Sequence, residues 1–152
     1  MAAPVVLFVY NRLKHTQLTV AALQKNLLAA DTVLHIFSDA PKTAADEENV
    51  QAVRKYLRTI EGFKQVTITE REKNFGLASN IIDGVTSMVN KYGEIIVLED
   101  DLVTSPYFLQ YMNQALALYR NNEKVICVHG YVYDVAENLP DTFFLKGADC
   151  WG

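Results

Sequence analysis

Three consecutive acids, Glu99, Asp100 and Asp101, are the residues best suited to chemistry, and they directly follow the apolar residues 95–98. A short run of Ile, Val and Leu is typical of a strand buried on both faces of a parallel sheet. Adjacent carboxylates repel one another unless a cation neutralises them. The pattern therefore predicts a divalent-metal site at a strand's carboxyl end, where open α/β sheets bind ligands. The alternative is a solvated turn in which Asp100 or Asp101 caps the next helix.

Polar side chains also follow the three earlier apolar runs of the sequence. They are Asn11 and Arg12, then Asp39, and then Arg71 with Asn74. Because the carboxyl ends of parallel strands meet at one edge of a sheet, we expect these side chains and the three acids to converge in one crevice. Asp39 can accept hydrogen bonds from a nucleobase or ribose, and the two arginines can donate paired hydrogen bonds to a base carbonyl or a phosphate. A metal held by Asp101 would neutralise a diphosphate.

Several of these residues also have a purely structural interpretation. Arg12 could pair with Asp39 or Glu70 at the surface. Asp39 could instead begin a turn, and Asn74 could only shape a loop before a helix. The sequence contains neither GxGxxG nor GxxxxGK[ST]. This absence disfavours a dinucleotide site or a P-loop and favours diphosphate binding through a metal.

An alternation of strand and helix patterns positions these residues. The patterns predict strands over residues 4–10, 32–37, 66–69, 94–98, 124–129 and 143–145, and helices over residues 13–30, 43–60, 77–92 and 105–120. Thr43 and Asp46 form a plausible capping pair for the second helix. Strands separated by helices of this length indicate βαβ units with right-handed crossovers. We therefore expect an α/β fold with a mostly parallel central sheet and helices on both faces.

Composition and charge restrict the class of protein. The 152 residues suffice for one domain, and the net charge of −4 with no basic cluster argues against nucleic acid as a partner. The two cysteines, Cys127 and Cys150, form no metal or disulfide pattern, and the apolar surroundings of Cys127 predict a buried thiol. The apolar residues 1–10 are too short to span a membrane. We expect a cytoplasmic protein, at most peripheral to a membrane, with no transmembrane segment.

Five motifs together resemble the nucleotide-sugar domain of GT-A-type glycosyltransferases, over nearly the whole chain. They are residues 4–12 (PVVLFVYNR), 36–39 (IFSD), 70–78 (EREKNFGLA), 97–102 (VLEDDL) and 105–108 (SPYF). The nearest groups are family 2-like bacterial enzymes and the N-acetylglucosaminyltransferase I group. The resemblance implies a Rossmann-like fold and inverting transfer of a hexosyl or N-acetylhexosaminyl group. The donor would be a nucleotide-diphosphate sugar, expected to carry UDP, and the acceptor a glycan or a lipid-linked or protein-linked hydroxyl.

The resemblance also implies a role for each matching residue. Glu99 and Asp101 would hold Mn²⁺ or Mg²⁺ on the diphosphate, and Asp100 would contact the ribose or sugar. Asp39 would bind the uracil or nucleoside. The remaining cofactor-binding positions are Asn11, Arg12, Arg71 and Asn74, with Arg12 on the base or phosphate and the last two lining the nucleotide pocket.

The catalytic base is the part of such an enzyme that this sequence does not supply. Trp151 and Gly152 resemble the start of the family's acceptor-side segment, and the base is expected beyond Gly152. We therefore expect residues 1–152 to be the donor part of a longer glycosyltransferase domain that is inactive in transfer by itself. The alternative is a non-catalytic nucleotide-sugar-binding or scaffold module of the same fold. A receiver domain is disfavoured, because Thr69-Glu70 and His129-Gly130 stand where its phosphoacceptor and lysine are needed.

Overall fold

The computed structural model of the protein describes residues 2–131, so the predicted strand over residues 143–145, Cys150 and the Trp151-Gly152 motif lie outside the described residues. The strands are β1 (Val5–Val9), β2 (Val33–Ser38), β3 (Gln65–Glu70) and β4 (Ile96–Glu99), and the helices are α1 (Leu13–Gln24), α2 (Glu47–Leu57), α3 (Leu77–Tyr92) and α4 (Phe108–Tyr119). Two short 3₁₀ turns at Ala29–Asp31 and Ala44–Asp46 precede β2 and α2.

All strand pairs of the sheet are parallel, in the order β3-β2-β1-β4. The chain steps from β1 to β2 to β3 on one side of β1 and then returns to place β4 on the other side. The order therefore reverses between β1 and β4. Open α/β sheets bind ligands outside the carboxyl ends of the strands at the point where the strand order reverses.

Helices cover both faces of the sheet because β1 is apolar on both. Val5, Leu7 and Val9 belong to one core cluster with residues of α1, α2 and α4, whereas Val6 and Phe8 belong to a second cluster that packs against α3. All five residues of β1 are buried. The predicted fold class, an α/β fold with a parallel sheet and helices on both faces, is confirmed.

The predicted strand over residues 124–129 is wrong, and so is the buried thiol. Residues 125–129 form no strand. The side chain of Ile126 is 96% exposed, and Cys127 is an exposed free thiol whose Sγ lies 3.1 Å from His129 Nε2. An apolar, β-branched run becomes a strand only where a neighbouring strand satisfies its backbone and covers its side chains. Among residues 2–131, this run pairs with no strand of the sheet.

The first helix is shorter than the predicted 13–30, because a turn stabilised by Asn26 follows it. Asn26 is buried, and its side chain donates to Ala22 O and to Thr104 Oγ1 at 3.0 and 3.1 Å. Its own oxygen accepts the backbone N–H of Leu109 at 2.9 Å. This asparagine therefore ties the end of α1 to the chain that follows the three acids. No helix in the described part of the chain is long and apolar enough to cross a membrane.

We predict that Gly84→Ala reduces the free energy of unfolding by about 1–3 kcal/mol, the usual cost of overpacking. A Cβ at Gly84 would lie 2.7 Å from the Phe8 ring, which stacks on Phe37 under α3. This loss of stability should appear even though alanine is favoured over glycine inside a helix by about 1 kcal/mol. Urea unfolding measures it. Asn90→Ala, on the exposed face of the same helix, is the control and should lose nothing; equal stability of the two variants would contradict this packing.

Candidate functional site

The register of the sheet brings the four strand ends to one level. Val9 pairs with Ser38, Ser38 pairs with Glu70, and Phe8 pairs with Glu99. The loops that leave these positions carry all the residues that the sequence singled out. The expected convergence at the carboxyl edge is therefore present, and the contacts within it divide into two groups.

The first group joins the end of β1 to the end of β4. The Arg12 guanidinium donates through Nη2 to Asp100 Oδ1 in a short hydrogen bond, and its Nη1 lies 3.0 Å from Asp101 Oδ2. Arg12 thus pairs with the acidic motif and not with Asp39 or Glu70, the surface partners considered from sequence. One arginine bridges two of the three acids exactly where the strand order reverses.

Asp100 is the most enclosed member of this group. Its side chain is 4% exposed, against 43% for Arg12 and 39% for Asp101. The buried Thr19 of α1 donates from Oγ1 to the backbone oxygen of Asp100 at 2.9 Å. While Oδ1 receives Arg12, the buried Oδ2 has no partner with full hydrogen-bond geometry among residues 2–131. The turn is therefore anchored to α1, and one carboxylate oxygen in it is less well satisfied than the other.

Burial and mutual repulsion make this cluster electrostatically unfavourable. Burial raises the pKa of Asp100, although Arg12 and the Tyr10 backbone act in the opposite direction. Burial also raises the pKa of Glu99, followed in importance by repulsion from Asp101 and Asp100. The hydrogen bond with Asp100 raises the pKa of Arg12. Among residues 2–131, Arg12 is the basic residue that forms ion pairs with these acids.

The acidic motif fits a metal that is shared with a diphosphate. Within residues 2–131, no group of three or more His, Cys, Asp or Glu side chains could hold a metal ion by itself. Magnesium, however, is commonly held by one or two carboxylates together with substrate phosphates. The unpartnered Oδ2 of Asp100 and the exposed carboxylate of Asp101 supply two hard oxygen donors of this kind.

The second group centres on Asp39, which binds the loop after β3. Its Oδ1 accepts the backbone N–H groups of Ala40 and Phe75, both at 2.9 Å. Its Oδ2 accepts the N–H of Gly76 at 3.0 Å and the Asn74 side chain at 3.3 Å. Asp39 is a buried residue, 5% exposed. Asp39 and Asn74 therefore meet as expected, but all four contacts of this carboxylate are within the protein.

Arg71 points toward α3 and not toward the acidic motif. Its guanidinium lies 5.0 Å from the ring centre of Phe37 and 4.4 Å from that of Phe75. It donates to Asn80 Oδ1 at 2.9 Å and to Asp83 Oδ2 at 2.6 Å. Only 12% of the Arg71 side chain is exposed. Arginine stacked on aromatic rings in this way fixes the start of the loop that Asp39 holds at its other end.

Asn11 lies beside the turn that precedes α2. Its Nδ2 donates to Asp46 Oδ1 at 3.0 Å. Asp46 Oδ2 accepts the N–H and the hydroxyl of Thr43 at 3.1 and 2.7 Å, so the predicted capping pair is confirmed. Hydrogen bonding to the Thr43 side chain is the largest influence that lowers the pKa of Asp46. Asn11 thus connects the end of β1 to the loop after β2.

Arg54 is a residue of this site that the sequence interpretation missed. It is buried in α2, and its Nη2 donates to the backbone oxygens of Arg71 at 2.8 Å and Asp39 at 3.3 Å. It therefore holds the loops after β2 and β3 together. A signal was present in the sequence, because Arg54 shares the apolar face of α2 with Val50, Val53 and Leu57. A charge on an apolar helix face needs buried partners. Thr19, Asn80 and Asp83 carried no comparable signal.

Two surface cavities lie away from the acidic motif. One of about 560 Å³ runs along the outer side of α3, where Asp83 and Thr86 line it. The other, of about 450 Å³, lies near Ala2 and Lys64, at the opposite edge of the sheet from the acids. Charge and strand topology, and not cavity volume, single out the crevice between β1 and β4.

Comparison with known proteins supports the fold. No family model matches the sequence, and a search of curated proteins finds no significant match. TarS of S. aureus resembles the structure with a TM-score of 0.57 at 14% identity, over 79% of this chain and 20% of TarS. Its 1–349 form gives 0.56 and 14%, over 79% and 33%. Mannosyltransferase PcManGT from Pyrobaculum calidifontis, in complex with GDP-Man and Mn²⁺, gives 0.54 and 16%, over 77% and 33%.

These similarities show a shared fold and no more, because the sequence identities are low. They agree with the fold class expected from the sequence. The chain spans between 20% and 33% of the length of these three structures. The activity of a whole protein that contains this fold is therefore a matter for proposal.

We predict that Asp39→Asn lowers the free energy of unfolding by about 2–4 kcal/mol, because an amide offers one acceptor oxygen and leaves backbone donors unpaired. Hydrogen exchange of the Phe75 and Gly76 amides should accelerate more than that of β1. Urea unfolding and exchange detected by NMR measure the two effects. Asp31→Asn, at an exposed position in the turn before β2, is the control and should change neither. Unchanged exchange in Asp39→Asn would disprove the network.

We predict that Glu99→Gln stabilises the protein at neutral pH by up to about 1 kcal/mol. The substitution removes a partly buried charge and its repulsion with Asp101 and Asp100, which solvent only partly screens. Because folding raises the pKa of Glu99, wild-type stability falls as pH rises through that pKa. The difference between variant and wild type should accordingly vanish below the pKa of an unfolded glutamate. Thermal unfolding from pH 3 to 8 measures this, with exposed Glu123→Gln as the control. A variant less stable than wild type at pH 7 would contradict it.

Proposed function

We propose that this chain binds the nucleotide-diphosphate sugar of a glycosyl transfer reaction. The observation that carries the proposal is the arginine-bridged acid pair, Arg12 with Asp100 and Asp101, at the point where the strand order reverses. Open α/β sheets bind ligands at this point. A guanidinium beside carboxylates suits a ligand that is itself anionic and brings a cation with it.

The diphosphate would lie at the β1–β4 end of the crevice. Arg12, which is 43% exposed, is the donor available to its oxygens. The resemblance assigns the metal to Asp101 and Glu99; because Arg12 joins Asp101 to Asp100, we instead propose that Asp101 and Asp100 would hold the metal, with Glu99 adding negative charge beside them. When bound, Mn²⁺ or Mg²⁺ would offset the charge of the diphosphate as it leaves the sugar.

The nucleoside would lie at the β2–β3 end. The loop over residues 71–76 is held there by Asp39, Arg54 and Arg71 through contacts within the protein, and it would form a wall of the nucleoside site. A preformed wall lowers the entropy lost on binding. The nucleoside would then meet this wall from the crevice side, with Asp39 and Asn74 supporting the wall from behind and Asn11 between the two ends.

The sugar would be transferred to an acceptor hydroxyl on a glycan, a lipid-linked or a protein-linked acceptor. Deprotonation of that hydroxyl needs a general base. We assign no such base among residues 2–131, and the donor half of the reaction is the part proposed for them. UDP is the expected nucleotide, and GDP is the comparison to make because PcManGT was solved with GDP-Man.

The test is calorimetric titration of the chain with UDP and GDP, each with and without Mn²⁺. We expect binding of one nucleotide that strengthens at least tenfold with Mn²⁺, and a loss of that gain in Asp101→Asn. Asp101 is exposed, so the variant should fold. Asp31→Asn carries the same change of charge away from the crevice and is the control.

Absence of nucleotide binding with Mn²⁺, or binding that Asp101→Asn leaves intact, would refute the proposal. Binding by a full-length protein that neither hydrolyses nor transfers the sugar would favour the non-catalytic module instead. In the first case metal-dependent nucleotide binding is absent. In the second case that binding is present and only hydrolysis and transfer are missing.

A further inference from the structure

Arg12 occupies the place among the acids that a cation would take. It bridges Asp100 Oδ1 and Asp101 Oδ2 with the two ends of one planar guanidinium. The remaining oxygen of Asp100 is buried and has no partner with full hydrogen-bond geometry in the part of the chain that the structure describes. Arginine therefore neutralises the same two side chains that a divalent ion would share.

The two partners differ in their freedom to move. Asp100 is 4% exposed, and Thr19 holds its backbone oxygen. The Arg12 side chain is 43% exposed, whereas its backbone is held by Thr16, whose N–H and hydroxyl both donate to Arg12 O at 3.0 Å. The Arg12 side chain therefore has room to change conformation on a fixed backbone, whereas the carboxylate of Asp100 is held in place.

A guanidinium and a divalent ion cannot comfortably share these acids, since like charges a few ångströms apart repel strongly in a partly buried site. A diphosphate changes this competition between Arg12 and the metal, because it offers Arg12 another anionic partner. Arginine forms paired hydrogen bonds with phosphate oxygens as readily as with carboxylates. A nucleoside diphosphate can thus draw Arg12 from the acids and at the same time offer phosphate oxygens to the metal.

We propose that Arg12 is a resident counter-cation that keeps the metal out until a nucleoside diphosphate arrives. The inference rests on the proposed function and adds an order to it: the metal binds with or after the nucleotide. Arg12 then has two successive partners, the acid pair in the free protein and the diphosphate in the complex. Its role is to couple the two binding events and not only to contact phosphate.

The test compares the affinity for Mn²⁺ alone, measured by electron paramagnetic resonance, among wild type, Arg12→Gln and Arg12→Lys. We expect Arg12→Gln to bind Mn²⁺ at least tenfold more tightly than wild type without nucleotide. Arg12→Lys keeps the charge and should remain close to wild type. Arg120→Gln is the matched control, because Arg120 pairs with Glu94 at 2.7 Å far from the acids, and it should change nothing.

A second measurement repeats the titration with UDP present. UDP should raise the Mn²⁺ affinity of wild type by a larger factor than that of Arg12→Gln, because the variant has no counter-cation to displace. Mn²⁺ affinity that is unchanged or weaker in Arg12→Gln would overturn the inference. Thermal unfolding of the variant establishes that it is folded.

The two proposals fail in different ways. If no variant binds nucleotide, the proposed function fails, while the Mn²⁺-only comparison still decides whether Arg12 competes with the metal. If Arg12→Gln loses UDP affinity but binds Mn²⁺ as wild type does, Arg12 is a phosphate contact only and the ordering role is wrong.

Discussion

Strand β1 is buried along its whole length and is paired on both sides, with β2 and with β4. This pairing is the constraint on which the site depends. Because β4 joins β1 from the side opposite to β2, the loops after β1 and β4 leave the sheet next to each other. Arg12 and the acids at 99–101 are 87 or more positions apart in the sequence, but the parallel pairing of β1 with β4 makes them neighbours in the fold.

The crevice contains two kinds of carboxylate, and their difference is physical. Asp39 accepts four hydrogen bonds, three of them from backbone N–H groups, and it stabilises the loop around it. Asp100 is as deeply placed, but one of its oxygens has no partner with full hydrogen-bond geometry among the described residues. A buried polar atom without a partner costs stability. The Asp39 carboxylate is therefore engaged at both oxygens by contacts within the fold, whereas that of Asp100 is engaged mainly at one.

The group of contacts around Asp39 and the group around Arg12 also differ in how their arginines are placed. Arg71 and Arg54 are both enclosed, and each holds backbone or side-chain groups around the loop over residues 71–76. Arg12 is the exposed arginine of the three. Enclosed guanidinium groups with several fixed acceptors act as rigid connectors, whereas a half-exposed one can change partners. The same residue type therefore serves two purposes, and burial decides which.

Local pattern was enough to predict the order of the four strands and four helices between residues 5 and 119, the bounds of α3 between Gly76 and Gly93, and the Thr43–Asp46 cap. It also predicted the convergence of the polar strand ends. Each depends on hydrophobic period, glycine at positive φ or the direction of parallel strands, which a sequence carries by itself. Only the tertiary structure decided that Arg12 meets Asp100 and Asp101, that Arg71 turns to α3, and that residues 125–129 pair with no described strand. Those outcomes depend on which side chains arrive within a few ångströms after folding, and a long, flexible arginine has several acceptors of equal chemistry until packing selects among them.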